Sequence, residues 1–413
     1  MNYQLLNSGT YFHYSLANYT SNIRLAQGWD NIIWVLFFMI FMLFYPRLMI
    51  TQMIWKLEQS AIKMESLSKR TKNIVMKKIS KRPDLKLRRS VSNFLETVAI
   101  MPKSLDPYGI VPKLDHILKL YREKFKYFVN QVAKGMDEEE KANLIGGLSG
   151  AITMHQIAKL VRHWVELIRK TKNLQLALVL QMQLPLIERI AKAVVDGTEA
   201  LTNGWPIGDG AGPMVASLLI GKSKITKSYK DEEIIVVKKR IRGKPVIIVR
   251  AKGPGGRIGE LGKVVVEIVK RNKVSKIITI DAALKLEGER TGSIADAVGV
   301  AIGGIGVDSF MIESIAVKKR LPLDAYAIKM SQEEALQPML PSIITATKAV
   351  ARRVEDNIAH TKGTILIVGV GNCSGIGNSA AGAKQAEQLA RRIQRMIAAR
   401  KKKEKRLKWL IGE

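Results

Sequence analysis

The segment Lys276-Ile-Ile-Thr-Ile-Asp281 is a short β-branched run that ends in an acid, a pattern typical of a buried strand. Similar runs occur at three other places, Glu233-Ile-Ile-Val-Val237, Pro245-Val-Ile-Ile-Val-Arg250 and Thr364-Ile-Leu-Ile-Val-Gly369. Residues 258–270 between them have helical spacing. Strands that alternate with helices indicate an α/β layer fold with a central sheet, so we predict an α/β domain over residues 204–378.

The chain before this domain has the periodicity of helices. Candidate helices are residues 111–132, 137–170 and 173–195, the last with Pro185 as a kink. We therefore predict an α-helical module over residues 91–203. After the α/β domain, residues 379–413 are predicted to form a basic C-terminal helix.

Residues 29–52 contain the most apolar stretch of the chain. It runs for about 22 residues, close to the length that crosses a hydrocarbon core of about 30 Å. Aromatic residues flank it and basic residues follow it, which indicates that the N-terminus lies outside. We predict a transmembrane helix at 29–52, an extracytoplasmic segment at 1–28 and a basic juxtamembrane helix at 53–90. The protein is then a single-pass protein of the cell membrane, with the bulk of the chain cytoplasmic. The alternative is a buried core helix, since the uninterrupted apolar part, residues 32–45, is short for a span.

The 413 residues carry a formal net charge of +31. A field of this sign favours polyanionic partners, so we expect anionic lipid headgroups, nucleic acid or a ribosome as partners. Basic runs at residues 56–89 and 400–408 have the same implication, although each is also compatible with a solvated helix face. Few aromatic residues lie among these cations, which argues against readout of bases. The single cysteine, Cys373, excludes an intrachain disulfide, and a homo-oligomer is compatible with the sequence.

Acidic residues in glycine-rich turns are the candidates for chemistry. The stretch Pro206-Ile-Gly-Asp-Gly-Ala-Gly-Pro213 places Asp209 among glycines at the start of a predicted helix. Asp281 ends a predicted strand, where α/β sheets place their sites. If the two carboxylates meet, they form an acid and base pair or a site for a divalent metal ion. The alternative is that both acids cap ordinary turns.

Two further glycine-rich loops have the composition of phosphate-binding turns. In Lys252-Gly-Pro-Gly-Gly-Arg-Ile-Gly259, the amides of Gly253, Gly255 and Gly256 with Arg257 form a predicted anion nest for a cofactor. It is not a P-loop, because no Ser or Thr follows Lys263. The turn Gly369-Val-Gly-Asn-Cys-Ser-Gly375 is similar to a dinucleotide-binding turn, but no second strand with a ribose-binding acid follows it.

Several of these motifs together resemble an archaeal, membrane-anchored family that is catalogued as a domain of unknown function. They are Val161-Arg-His-Trp-Val-Glu-Leu167, Gln181-Met-Gln-Leu-Pro185, Gly208-Asp-Gly-Ala-Gly-Pro213, the loop at 252–263, and Asp281-Ala-Ala-Leu-Lys-Leu-Glu-Gly-Glu289. The resemblance implies one N-terminal span followed by a basic cytoplasmic part. It implies no activity.

Residues 204–375 are also similar, more distantly, to hydrogenase-maturation and spore germination peptidases. The similarity rests on the order of Gly208–Pro213, Ile280-Asp-Ala282, Gly303-Gly-Ile-Gly-Val307 and Leu321-Pro-Leu-Asp-Ala-Tyr-Ala327. It implies a phosphorylase/hydrolase-like sheet and acids at Asp209 and Asp281 as the catalytic and metal-binding residues. Ile365-Leu-Ile-Val-Gly-Val-Gly-Asn372 matches a motif that precedes the first acid in those enzymes, as if this domain were circularly permuted. We therefore expect a peptidase-like hydrolase; the alternatives are a non-enzymatic, membrane-tethered binder of nucleic acid, ribosome or anionic lipid, and a structural scaffold.

Overall fold

The computed structural model describes residues 9–100, 109–301 and 306–410. The predicted segment 1–28 and the glycine-rich motif 303–307 therefore lie partly outside the described residues. The first half of the chain is helical, with α1 Gly9–Ile79, α2 Leu85–Leu95, α3 Ile110–Val132, α4 Glu138–Thr171 and α5 Leu174–Thr202. α4 begins where the sequence indicates, because the Asp137 carboxylate accepts a hydrogen bond from the Glu140 amide at 2.7 Å. α5 continues through Pro185.

The predicted transmembrane helix at 29–52 is wrong. Across the described parts of the chain, no helix has both the length and the apolar character that crossing a membrane requires. The stretch is one part of the 71-residue α1, and its uninterrupted apolar run ends at Pro46 and Arg47, short of the roughly 20 residues that a span needs. The predicted location is therefore also wrong: a single-pass membrane protein with its N-terminus outside and the bulk of the chain cytoplasmic is not supported. The predicted membrane tether is wrong for the same reason. Large apolar side chains from Ile32 to Leu48 are nevertheless exposed on α1.

The chain divides into two compact units. The first consists of residues up to Ala61 together with Arg162–Leu184. In this unit the Glu58 carboxylate accepts a hydrogen bond from Arg162 at 2.5 Å and another from Arg169. The hydrogen bond from Arg162 lowers the pKa of Glu58 below its usual value. The pair therefore joins α1 to α4 within this unit.

The second unit, Ile62–Val161 with Pro185–Glu413, contains a seven-stranded mixed sheet. Its strands are β1 Lys227–Tyr229, β2 Ile234–Ile241, β3 Lys244–Ala251, β4 Val274–Leu284, β5 Ile294–Val298, β6 Leu323–Met330 and β7 Thr364–Gly369. The order across the sheet is β1-β2-β3-β7-β4-β6-β5. The four central strands β3, β7, β4 and β6 are parallel, and the outer strands pair antiparallel. The predicted α/β pattern with a central sheet is thus confirmed.

Helices cover both faces of this sheet. On one face, α6 Ala211–Ile220, α10 Pro341–His360 and α11 Ala380–Leu410 share a core with Ile278 and Ile280 of β4. On the other face, α7 Leu261–Arg271 and α8 Val307–Lys319 share a core with Ile277. A short helix, α9 Gln332–Leu336, follows β6. Alternate residues of β4 enter different cores because side chains of a strand point to opposite faces.

The helical part of this unit has a separate core. Val75 of α1, Phe94 of α2, Phe125 of α3 and Leu148 of α4 are buried in it. His155 of α4 uses both ring nitrogens, bonding Glu96 at 2.8 Å and Ser68 at 3.3 Å. These contacts tie α1, the end of α2 and α4 together, so the structure gives His155 a structural position.

Candidate functional site

The carboxyl ends of the parallel strands form the edge at which the two predicted catalytic acids lie. A turn of 3₁₀ helix, Gly208–Gly210, precedes α6 there and carries Asp209. Asp209 Oδ2 accepts a hydrogen bond from the amide of Asn372, just after β7, at 2.8 Å. α6 has Gly210 at its N-cap with no side-chain hydrogen bond, so Asp209 closes the turn after β7 and does not cap α6. Burial raises the pKa of Asp209 above its usual value, and the Asn372 hydrogen bond opposes that shift only in part.

Asp281 lies at the end of β4 and is 3% exposed. Its Oδ1 accepts a hydrogen bond from the amide of Ala282 at 2.6 Å. By strand alternation it shares the face of Ile277, which packs with α7 and α8. Asp209 precedes α6, which covers the opposite face. The structure therefore places both acids at one edge of the sheet, Asp281 at the end of β4 and Asp209 beside the turn that follows β7.

The pairing of the two acids stays a prediction. Burial is the cause that raises the pKa of Asp209, and no neighbouring carboxylate contributes to that rise. In the described ranges, no group of three or more His, Cys, Asp or Glu side chains is placed to hold a metal ion. The catalytic and metal-binding roles of Asp209 and Asp281 therefore stay predictions.

Replacing Asp209 with asparagine is expected to stabilise the protein at neutral pH. The pKa of Asp209 is higher in the folded than in the unfolded chain. As pH rises above about 4, Asp209 therefore ionises more readily in the unfolded chain, and the free energy of unfolding of the wild-type protein decreases. The asparagine side chain cannot ionise and still presents an oxygen to the Asn372 amide. The stability difference between D209N and wild type should be small at pH 4 and favour D209N at pH 7, by about 1.4 kcal/mol for each unit of pKa shift.

Urea unfolding at the two pH values measures this difference. The control is D231N, because Asp231 is exposed and its replacement should change stability equally little at both values. A D209N protein that is less stable than wild type only at pH 7 would contradict the prediction, since it would mean that the fold holds the ionised carboxylate.

The donors of the predicted anion nest are in contact with α4. The Gly255 amide donates to Glu139 Oε2 at 2.7 Å, and the Gly256 amide donates to Asn143 Oδ1 at 2.8 Å. Arg257, which is 8% exposed, also bonds the Glu139 carboxylate. Gly253 is paired with Asn378 through two hydrogen bonds of 2.8 Å. The loop thus binds an anion, but one supplied by the protein itself, and its predicted role toward a cofactor is untested.

Arg250 is a buried residue that the sequence motifs did not identify. It is fully buried at the end of β3, and its guanidinium donates to the carbonyl oxygens of Ala251, Pro213, Ile376 and Gly377 at 2.9–3.1 Å. These bonds connect β3, α6 and the loop after β7. The only signal in the sequence was an arginine at the end of an otherwise apolar strand.

Cys373 lies in the same loop and is fully buried. Its thiol donates to the carbonyl of Ala251 at 3.2 Å, and burial raises its pKa. A buried thiol of raised pKa is a poor nucleophile. The turn Gly369–Gly375 is held in place by the hydrogen bonds from Asn372 to Asp209 and from Cys373 to Ala251.

A basic groove lies along α1, away from the sheet edge. Two adjoining cavities of about 380 and 410 Å³ share Arg70, Ile74 and Lys77 as lining residues. We call this groove the basic trough and define it by five cations: Lys69, Arg70, Lys77, Lys78 and Arg400. Glu199 is the one acid among the described residues that line the two cavities, and it pairs with Arg70 at 3.8 Å and with Arg400 at 3.1 Å.

The cations of the trough come from two helices that lie far apart in the sequence. Four lie on α1, where their spacing of seven or eight residues places them along one face of the helix. Arg400 belongs to α11. Lys69 and Lys77 are exposed, and the side chains of Arg70 and Arg400 are more than half exposed. Lys78 pairs with Glu140 at 3.6 Å, so the five cations face two acids and the trough keeps an excess of positive charge.

Two models of one family match the chain. The model described as "Protein of unknown function (DUF1512) N-terminal domain" matches residues 31–204, and the model described as "Domain of unknown function (DUF1512) C-terminal" matches residues 207–377. The chain belongs to the DUF1512 family, with both of its domains present. The boundary between the two models falls close to the predicted start of the α/β domain.

The comparison with solved structures shows weak similarity to two proteins. A proteasome-assembly chaperone homologue of Mycobacterium tuberculosis is 18% identical, with a TM-score of 0.30, and the match covers 46% of this chain and 91% of that one. A protein of unknown function from Corynebacterium glutamicum is 14% identical, with a TM-score of 0.25, covering 43% of this chain and 66% of that one. At these scores neither supports a conclusion about function. A search of the curated proteins returned no match.

Proposed function

We propose that this protein binds the phosphate backbone of nucleic acid in the basic trough. The observation that supports this proposal is that five cations, drawn from α1 and α11, line a groove in which Glu199 is the one acid among the lining residues that the structure describes. Glu199 is already shared between Arg70 and Arg400. The trough therefore keeps a net positive charge that an external polyanion can neutralise.

The dimensions of the trough suit several phosphates. From Lys69 to Lys77 the helix advances about 12 Å, at 1.5 Å per residue. One strand of a duplex carries a phosphate about every 3.4 Å along its axis, so three or four phosphates lie within that length. Arg400 adds a cation from a second helix. The groove can thus follow a strand over a few nucleotides.

The remaining lining residues favour nucleic acid over a lipid surface. Asn73, Thr202 and Asn203 are polar groups of the kind that bond phosphate and sugar oxygens. A helix that binds anionic lipid also needs a wide apolar face beside its cations, whereas Ile74 is the single apolar residue that lines the two cavities among the side chains that the structure describes. None of the described side chains that line the trough is aromatic, so we expect binding that does not depend on base sequence.

Titration of the full chain with a labelled single-stranded RNA at increasing salt tests the proposal. With five phosphate contacts, log Kd should change with log salt with a slope of magnitude about 3.5, a loss of roughly 100-fold in affinity between 50 and 200 mM. RNAs of different sequence should bind alike. Failure to bind at 50 mM salt would overturn the proposal. Retention on anionic liposomes without binding to RNA would also overturn it and would point to lipid headgroups.

A further inference from the structure

The loop at Lys252–Arg257 surrounds one carboxylate, that of Glu139. The Gly255 amide and the Arg257 guanidinium both donate to Oε2 of Glu139, and the Lys252 ammonium lies 4.0 Å from Oε1. A carboxylate held by a backbone amide, a guanidinium and an ammonium occupies the kind of site that also binds phosphate. From here on the name anion nest is used for these three groups only; the amides of Gly253 and Gly256 are left out because they bond Asn378 and Asn143.

The donors of the nest are held in place by contacts that do not involve Glu139. Arg257 Nη2 donates to the carbonyl oxygen of Glu138 at 2.9 Å. The Gly256 amide is fixed by Asn143 and Gly253 by Asn378. Departure of the Glu139 side chain would therefore leave the nest formed. The Gly255 amide would lose its acceptor, and the nearly buried Arg257 guanidinium would lose one carboxylate while keeping the Glu138 carbonyl oxygen and the Glu233 carboxylate, 3.7 Å away. Loss of an acceptor by a buried donor is costly, which favours uptake of another anion.

Glu139 is in a position to leave. It lies in the first turn of α4, and 29% of its side chain is exposed. A change of its side-chain rotamers moves the carboxylate to solvent without moving the helix. Gly255 keeps the nest open, because a Cβ at that position would lie 2.5 Å from both Glu139 Oε2 and Arg257 Nη1. The site thus combines fixed donors with a removable internal ligand.

We infer that the nest is a binding site for a phosphate group and that Glu139 is its internal competitor. A phosphate dianion offers more oxygens and more charge than the carboxylate, so it makes stronger hydrogen bonds with the same three donors. The nest lies on residues other than those of the trough, and this inference does not depend on the proposed function. The phosphate is named by its chemistry alone: inorganic phosphate and a terminal phosphomonoester present the same oxygens.

Glu139→Gln tests the inference, because glutamine keeps the size of the side chain and removes its charge. Isothermal titration with inorganic phosphate should show at least about tenfold tighter binding to E139Q than to wild type, since the competing anion is gone. Phosphate should also raise the unfolding temperature of E139Q more than that of wild type. Glu138→Gln is the matched control: its side chain is 79% exposed and pairs with Lys141, so E138Q should bind phosphate as wild type does.

Three results would overturn the inference. The first is phosphate binding that is equal in E139Q, E138Q and wild type. The second is no phosphate binding by any of the three proteins. The third is an E139Q protein that fails to fold and is not rescued by phosphate, together with an E139A protein whose folding phosphate also fails to rescue. That result would show that the contact of Glu139 with the loop is purely structural. A comparison of 5′-phosphorylated and unphosphorylated dinucleotides tells a phosphomonoester from inorganic phosphate as the preferred source.

Discussion

Replacing Lys69, Arg70 and Lys77 with alanine is expected to weaken binding of single-stranded RNA about 100-fold at 0.1 M salt. Each phosphate contact on a single strand contributes about 0.7 to the exponent with which affinity falls as salt rises. At 0.1 M salt, relative to 1 M, that exponent corresponds to a factor of about 5 in affinity for each contact. Three lost contacts multiply to about 100. All three side chains line the trough, and a filter-binding or fluorescence titration measures the change.

The control for this variant removes the same charge elsewhere. Lys222, Lys318 and Lys319 are exposed cations outside the trough. Their replacement with alanine should reduce affinity only slightly, because distant exposed charges are screened at this salt concentration. Equal losses in the two triple variants would show that the overall charge of the chain, and not the trough, binds RNA.

Replacing Gly212 with alanine is expected to cost about 3 kcal/mol or more of stability, or to prevent folding. A Cβ at Gly212 would lie 2.2 Å from the carbonyl oxygen of Val370 and 2.3 Å from that of Ile280. Both oxygens belong to the central strands or their immediate continuation, which cannot move away as a flexible side chain can. Overpacking of a rigid core typically costs 1–3 kcal/mol, occasionally more, and two backbone contacts place this case at the upper end.

Gly135 provides the comparison for this substitution. A Cβ added there would meet nothing within 4 Å, so Gly135→Ala should change the free energy of unfolding by less than about 0.5 kcal/mol. Urea unfolding of both variants measures the two effects. A G212A protein as stable as wild type would mean that α6 does not begin against β4 and the end of β7.

The central sheet could be predicted from the sequence because its strands are short, rich in β-branched residues and separated by helices. Ile277–Ile280 and Ile365–Val368 are strands in the structure, as their composition indicates. The order of the strands in the sheet could not be predicted from the sequence. The last strand, β7, lies between β3 and β4 at the centre of the sheet, and that insertion depends on tertiary packing that no local pattern records.

The candidate site shows the same limit. The motifs correctly placed Asp209 and Asp281 at one edge of the sheet, because parallel strands end there together. They could not determine the contacts of the two side chains, such as the hydrogen bond between Asp209 and the Asn372 amide, because these contacts depend on tertiary packing. The role of the glycine-rich loop at 253–257 toward a cofactor stays a prediction, and only the fold could bring Glu139 to that loop.

The predicted membrane span failed for a different reason. Its apolar run, residues 32–45, is real, but it is shorter than a span, and the surrounding helix α1 continues for 71 residues in all. The basic run that follows was interpreted as a juxtamembrane segment. In the structure its residues 69–78 line a groove instead, and Arg400, which completes that groove, lies more than 300 positions further along the chain. Only the fold could show that the two basic runs meet.

The most direct test of the central claim is the salt dependence of RNA binding, measured in parallel for the wild-type chain and for the K69A/R70A/K77A variant. If the basic trough binds the phosphate backbone, the plot of log Kd against log salt should be shallower for the variant by about 2 units of slope, since three contacts of about 0.7 each are lost. Two parallel lines would contradict the account, because they would show that the trough releases no counterions when RNA binds.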